Sequence, residues 1–384
     1  MLQKFKKIDI PIVLILLALL TASIFLVYSA TYNDQKIDIE IKKMLIISVV
    51  SLVAFLFVSM IDYRELIKLS PYLYGFGVLL LVAVYLFGVE KNGAKGWFQL
   101  PFGGLDFQPV ELVKLILIVA LAAFMARREG EKLTLVRDVI PIGAMALLPF
   151  ALVAIQPDLG NALILLAIVV GMFWIGNIRI SYVLIGLAVA VGGLYLFVFL
   201  FKNYHDALVG FFEALKVPGH WLDRLNTYIN PETATRDDKW QVENSMRAIG
   251  SGGLLGEKYL QGTSVQSSFI PFAYSDSIFV VVGEEFGFVG ASCLLLLYFV
   301  LIYRMILISI NSNMLSGSYI IIGIVSMLVF QIFENVGMMI GIMPLTGITL
   351  PFISYGGSSL LINMMAMGLV MSIKLHNDKP IEEI

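Results

Sequence analysis

The chain has 384 residues, 59% of them hydrophobic and 14% charged, with a mean hydropathy of +0.89 and a net charge of -2. A soluble domain carries roughly 25% charged residues, so this composition excludes an ordinary soluble protein. No basic patch with interleaved aromatics occurs in the sequence, which gives no support to a nucleic-acid partner. The one cysteine, Cys293, lies inside an apolar run and makes no internal disulfide, and no metal-binding Cys/His spacing occurs. His205, His220 and His376 are scattered, which leaves a Ser-His or Cys-His catalytic pair without support.

The chain begins with Lys4, Lys6 and Lys7 ahead of an apolar run to Ala30. That pattern imitates a signal peptide. With many apolar runs following, an uncleaved first helix is expected. Apolar runs long enough to cross a bilayer predict ten spans: 9–30, 44–61, 70–88, 108–126, 138–155, 159–176, 180–201, 277–303, 317–341 and 357–373. Backbone polar groups must be satisfied within lipid, so each span is read as a helix. The expected fold is an all-α polytopic membrane protein, a single integral domain over 1–384.

Basic residues in short loops set the orientation. With the N-terminus inside, the inner segments hold Lys4, Lys6, Lys7, Arg64, Lys68, Arg127, Arg128, Lys132, Arg137, Arg179, Arg304, Lys374 and Lys379. The short outer segments hold Lys36, Lys42, Lys43, Lys91 and Lys95. Both termini are therefore expected in the cytoplasm, and the polar stretch 202–276 becomes a large extracytoplasmic loop before the eighth helix.

On this map the unusual residues gather near the outer face. The fourth span begins Phe107-Gln-Pro-Val-Glu111, and the sixth Ile155-Gln-Pro-Asp158-Leu-Gly160. Proline suits a first helical position, and an acid in the first turn suits the helix dipole. Asp158 is read either as a helix start or as part of a site. Glu111 and Lys114 share one helix face. They form an internal ion pair, or Lys114 faces an anionic substrate while Glu111 positions it; charge at membrane depth fits both.

Within the outer loop, 208–221 reads as an amphipathic or packed helix, Arg224 to Pro231 as a short helix or turn, and Trp240 to Ala248 as a helix. Gly250-Ser-Gly-Gly253 is read as a flexible turn or as bare N–H groups for phosphate. Asp276 follows Pro271 at the start of the eighth span, as an N-cap or as a general base toward a sugar hydroxyl. One of Glu284 and Glu285 is expected to face the interior. Gln331, Glu334 and Asn335 on the ninth span are read as helix–helix hydrogen-bonding groups.

These motifs carry a resemblance. Gly93-Ala-Lys-Gly-Trp97, Gln108-Pro-Val-Glu-Leu, Gln156-Pro-Asp-Leu-Gly160, Ala248 through Gly256, Gly262-Thr-Ser-Val-Gln266, Ser275-Asp-Ser-Ile-Phe279, Gly283-Glu-Glu-Phe-Gly287 and Pro344 through Ser359 resemble, in order and spacing, the SEDS family of peptidoglycan glycosyltransferases. The Gly-Thr-x-x-Gln run looks more like its RodA (elongation) branch than its FtsW (division) branch. The resemblance implies ten helices, cytoplasmic termini and a catalytic aspartate in a pattern close to Pro-Glu-x-His-Thr-Asp-Phe-Ile-Phe. Here that stretch reads Pro271-Phe-Ala-Tyr-Ser-Asp-Ser-Ile-Phe279, which keeps Asp276 and changes its flanks.

The implied reaction is polymerisation of lipid II, with Asp276 as general base and undecaprenyl diphosphate as leaving group. Glu111, Gln108, Asp158, Gln241, Ser354 and Ser358 are candidate substrate contacts. Lys114, Lys95 and Arg224 are candidates for the diphosphate, with or without a divalent cation (Mg or Mn). The implied partner is a class B penicillin-binding protein. Intramembrane charges at Glu111, Lys114 and Glu334 motivate a rival reading, a transporter or flippase for the lipid-linked precursor; a third is a non-enzymatic membrane scaffold for cell-wall enzymes.

Overall fold

The structure, a computed structural model, describes residues 7–33, 37–91, 94–99, 106–204, 210 and 236–377. Ten apolar helices follow the predicted spans among these residues. They are α1 (Ile10–Thr31), α2 (Ile37–Met60), α3 (Tyr63–Phe87), α4 (Pro109–Ala126), α5 (Ile140–Ile155), α6 (Leu159–Ile175) and α7 (Ile180–Asn203), then, after the long loop, α10 (Ile278–Ile310), α11 (Leu315–Met339) and α12 (Gly357–His376). Nine of the ten are long and apolar enough to cross a bilayer, α5 together with the π-helical turn Leu135–Val139 that leads into it, and α6 is a shorter apolar helix. The loop contributes α8 (Arg236–Ser251) and the single turn α9 (Thr263–Gln266). The expected helices at 208–221 and 224–231 lie outside the described residues.

Position follows burial. α4 and α12 are the most enclosed spans, while α7 is mostly exposed, with Phe201 near its end buried. α2 packs on α12, α3 on α4, and α11 on both α4 and α6, so α4, α11 and α12 form the centre. Small residues permit the close approaches. A β-carbon on Gly323 of α11 would lie 2.6 Å from Ile118 of α4, and one on Gly368 of α12 would lie 2.7 Å from the Phe55 carbonyl of α2. Such contacts are how apolar helices associate in lipid, where van der Waals packing takes over from the hydrophobic effect.

Between α3 and α4 the chain makes three short antiparallel strands, β1 (Val89–Lys91), β2 (Ala94–Gln99) and β3 (Asp106–Phe107). The sequence reading has no counterpart for this sheet.

α10 is broken. Gly287 has φ 63° and ψ -160°, a backbone region only glycine adopts readily. Two helical hydrogen bonds are missing there, and the loop ahead of α10 replaces both. Phe288 N donates to the Gly253 carbonyl (2.9 Å) and Val289 N to the Leu254 carbonyl (3.1 Å). The Glu284 and Glu285 carbonyls accept from Glu257 N (2.8 Å) and Lys258 N (3.1 Å). All four backbone groups opened by the break are thereby satisfied.

Candidate active site

The starts of α4 and α6 are built alike and are joined. Pro109 opens α4 with Glu111 in its first turn, and Asp158 caps α6 by accepting from Asn161 N at 3.2 Å. Gln108 Nε2 donates to Asp158 Oδ2 at 2.9 Å, and Asn161 Nδ2 donates to the same oxygen at 2.8 Å. Lys114 Nζ lies 2.9 Å from Glu111 Oε1 and 2.9 Å from Asn161 Oδ1. Lys114 is fully buried. A charge at this depth is tolerated when it is paired and hydrogen-bonded, and both conditions are met. Of the two readings of Lys114, the internal ion pair is present in the structure, with Glu111 and Asn161 as partners of the buried ammonium. Glu334 of α11 is also fully buried, within electrostatic reach of Lys114 and Asp158.

α12 is tied to the same place. Gln108 N donates to Ser358 Oγ (3.0 Å), and Ser358 Oγ donates to the Asp106 carbonyl (2.9 Å). Ser354 Oγ accepts from Leu350 N at 2.8 Å, which closes the turn ahead of α12.

Asp276 sits half-buried in a turn that leads into α10. The turn forms because Phe272 takes φ 50° and its carbonyl accepts from Ser275 N at 2.9 Å. Two contacts dock it on the 344–359 segment. Tyr355 N donates to the Tyr274 carbonyl at 2.9 Å, with the two rings edge to face at 5.7 Å. Asn335 Nδ2 donates to both the Asp276 carbonyl and the Ile348 carbonyl, each at 2.7 Å.

The segment around Ile348 has the α6 start on its other side. A β-carbon on Gly160 would lie 2.5 Å from Ile348, and one on Gly347 would lie 3.8 Å from Asp276 Oδ2. Asp276 and the Gln108–Glu111–Lys114–Asp158 cluster therefore flank one stretch of chain.

The remaining predicted residues are placed differently. Lys95 lies on β2, and its ammonium donates to the Leu86 carbonyl at 3.3 Å, at the end of α3. Its neighbour Gly96 lies against the Gln108 amide, where a β-carbon would be 4.0 Å away. Gln241 is half-buried on α8, a helix that packs on α10 and α11. Arg224 lies outside the described residues. Among the described residues no group of three or more His, Cys, Asp or Glu side chains could hold a metal ion.

Two readings are corrected. The glycine run does not form a phosphate cradle, nor is it a loose turn. A β-carbon on Gly252 would lie 2.1 Å from the Gly283 carbonyl, and one on Gly256 would lie 2.1 Å from the Glu285 carbonyl. These glycines let the loop approach the break in α10. Glu284 and Glu285 are both buried, rather than one of the pair. Glu284 accepts from Ser264 N (2.7 Å) and Val265 N (3.0 Å), and Glu285 accepts from Ser29 Oγ (2.5 Å). Glu284 thus holds the loop, and Glu285, which also accepts from Gln266 Nε2 at 3.4 Å, ties the loop to α1. Asn335, read from the sequence as a helix–helix hydrogen-bonding group, instead bonds two carbonyls outside the spans, those of Asp276 and Ile348.

The comparisons agree with this architecture. A family model described as "Cell cycle protein", grouping FtsW, RodA and SpoVE, matches residues 10–379. "Stage V sporulation protein E" of Bacillus subtilis is 33% identical over 96% of this chain and 97% of its own length. "Peptidoglycan glycosyltransferase MrdB" of Escherichia coli is 34% identical over 96% of this chain and 94% of its own length. A solved structure titled "Structural coordination of polymerization and crosslinking by a peptidoglycan synthase complex" matches with a TM-score of 0.76 at 27% identity, covering 97% of this chain and 99% of that one. Nearly equal identity to sporulation and glycosyltransferase relatives leaves the RodA branch undistinguished from the FtsW branch. With its ten apolar helices, its aspartate ahead of α10 and a match over nearly its whole length, the chain belongs to the FtsW/RodA/SpoVE (SEDS) family.

Proposed function

We propose that this chain is a peptidoglycan glycosyltransferase that polymerises lipid II, with Asp276 as the general base. Relatives named peptidoglycan glycosyltransferase align over almost the whole chain. Asp276 takes the proton from the 4-hydroxyl of the acceptor GlcNAc. That oxygen attacks the anomeric carbon of the donor MurNAc, the bond to undecaprenyl diphosphate breaks, and the centre inverts to a β-1,4 link. The observation that carries this reading is the docking of the Asp276 turn, through Asn335 and Tyr355, onto the segment that also packs on the α6 start. A carboxylate held by its own backbone is aimed before substrate arrives.

The leaving diphosphate needs positive charge. Lys95, on the strand beside Gln108, and Arg224 are its proposed donors, and a divalent cation (Mg or Mn) would supply the same charge if it arrives with the diphosphate. Lys114 acts from behind, by holding the α4 and α6 starts together. The same pairing weakens the flippase reading, since the buried charge that motivated it is already occupied.

The basic residues of the described inner segments gather at one end of the bundle, the end opposite Asp276. By the excess of Lys and Arg on the cytoplasmic side, that end faces the cytoplasm, as do both termini, and the site faces outward. The 202–276 segment is then an extracytoplasmic loop of a single integral domain. A class B penicillin-binding protein is the proposed partner, in keeping with the crosslinking named for the similar complex.

The test is incubation of the purified chain with lipid II, with and without that partner, for Asp276 and for Asp276→Asn. Polymer formation is expected to fall by about 10²- to 10⁴-fold, the usual worth of a general base. Equal polymer from the variant would remove Asp276 from this role.

A further inference from the structure

Between α11 and α12 the chain runs through residues 340–356 without helix, and Leu350 to Ser354 are buried. Phe352 takes φ 63° there. A bulky residue stays in that region only when its surroundings hold it. Backbone without helix at membrane depth is likewise tolerated only where protein satisfies its polar groups. Three spans do so here, each with one side chain. Asn335 Nδ2 of α11 donates to the Ile348 carbonyl at 2.7 Å, the Tyr298 hydroxyl of α10 donates to the Pro351 carbonyl, and Ser23 Oγ of α1 donates to the Ile353 carbonyl.

Tyr298 and Ser23 are both buried within apolar spans. Phenylalanine and alanine would fill the same space. The hydroxyls are what these two residues add, and each meets one carbonyl of the same turn. That turn continues into Tyr355, whose N–H donates to the Tyr274 carbonyl at 2.9 Å, just ahead of Asp276. We infer that Tyr298 and Ser23 are positioning residues for Asp276, acting through the 351–355 backbone rather than on the carboxylate itself. The kinetic consequence rests on the general-base reading of Asp276, whereas the mechanical coupling is measured without activity.

Tyr298→Phe and Ser23→Ala in the full chain each remove one hydroxyl and keep the packing. Two measurements test them, lipid II polymerisation and amide hydrogen exchange over 272–277 and 350–355. Each variant is expected to lower kcat per folded molecule about fivefold, the rate equivalent of one hydrogen bond, with the KM for lipid II little changed. Exchange over both stretches is expected to rise by a similar factor. Wild-type exchange over 272–277 in both variants overturns the inference. Raised exchange with an unchanged kcat also overturns it, since both hydroxyls would then be structural alone. Should wild type itself make no polymer, the general-base reading fails, and exchange over 272–277 still decides the coupling: a rise upholds it and no change overturns it. If Tyr298→Phe does not fold, Ser23→Ala, on a different span, carries the same test.

Discussion

Asn335 shows how one amide can define a site. Its two N–H bonds go to carbonyls 59 and 13 residues away in the chain, one behind Asp276 and one beside the α6 start. Neither aspartate nor alanine can make both. Asn335→Ala leaves two carbonyls short of a partner, at a cost of about 2 kcal/mol. The expected result is a fall in turnover per folded molecule of about 10-fold or more, with the KM for lipid II little changed. If the melting temperature falls while turnover per folded molecule stays at the wild-type value, Asn335 is structural and does not position Asp276. At this scale the sequence was informative where spacing is local. Glu111 and Lys114 three apart predict their own pairing. Asn335 was opaque because its partners are backbone carbonyls, which carry no side-chain signature. Asn161 was opaque because Lys114 is 47 positions away.

Among elements, the interrupted α10 is the least expected. Hydropathy marks one continuous apolar run, because a change in φ at Gly287 leaves composition untouched. The glycine run at 250–256 was visible, but its purpose depends on the break it fills. The β1–β3 sheet was hidden for a related reason: the strands are short and lack alternation. Replacing either glycine at the crossing strains φ and adds a clash. A β-carbon on Gly287 would lie 2.4 Å from Gly256 N, and Gly256 itself has φ 77°. Gly287→Ala and Gly256→Ala are each expected to destabilise by about 2–4 kcal/mol and to depress polymer formation. Thermal unfolding in detergent measures the first effect, and an unchanged melting temperature would mean that the loop does not depend on this crossing.

For the whole molecule, ten spans were readable because lipid demands long apolar helices and little else resembles them. The proposed orientation rests on the sorting of Lys and Arg among the loops alone. What joins the spans was not readable. Asp9 ties α1, α10 and α12 at one end of the bundle through Arg304 and Lys374. Burial raises the Asp9 carboxyl, but bonds from Arg304, Lys374 and Ile12 N outweigh it and hold the group below the usual carboxylate range. A lowered pKa adds stability above the unfolded value of about 3.9, and that stability drains away as pH falls through the lower folded value. Asp9→Asn is expected to cost about 2 kcal/mol at neutral pH. The gap in melting temperature between variant and wild type should hold from pH 7 to about 5 and narrow below about 4. A gap still full at pH 3 would show that ionisation of Asp9 does not support the clamp.

The break in α10 has a mechanical consequence. An unbroken helix of 33 residues would be about 50 Å long, well beyond the hydrocarbon core of roughly 30 Å. At Gly287 it becomes two rods. The shorter rod, 278–286, is about 13 Å long. Asp276 stands just ahead of it, in the turn that Asn335 and Tyr355 hold. At the other end its backbone is bonded to 257–258, and the loop at 253–254 caps the start of the longer rod. A rod this short, tied at both ends, holds Asp276 at a fixed distance from the glycine crossing.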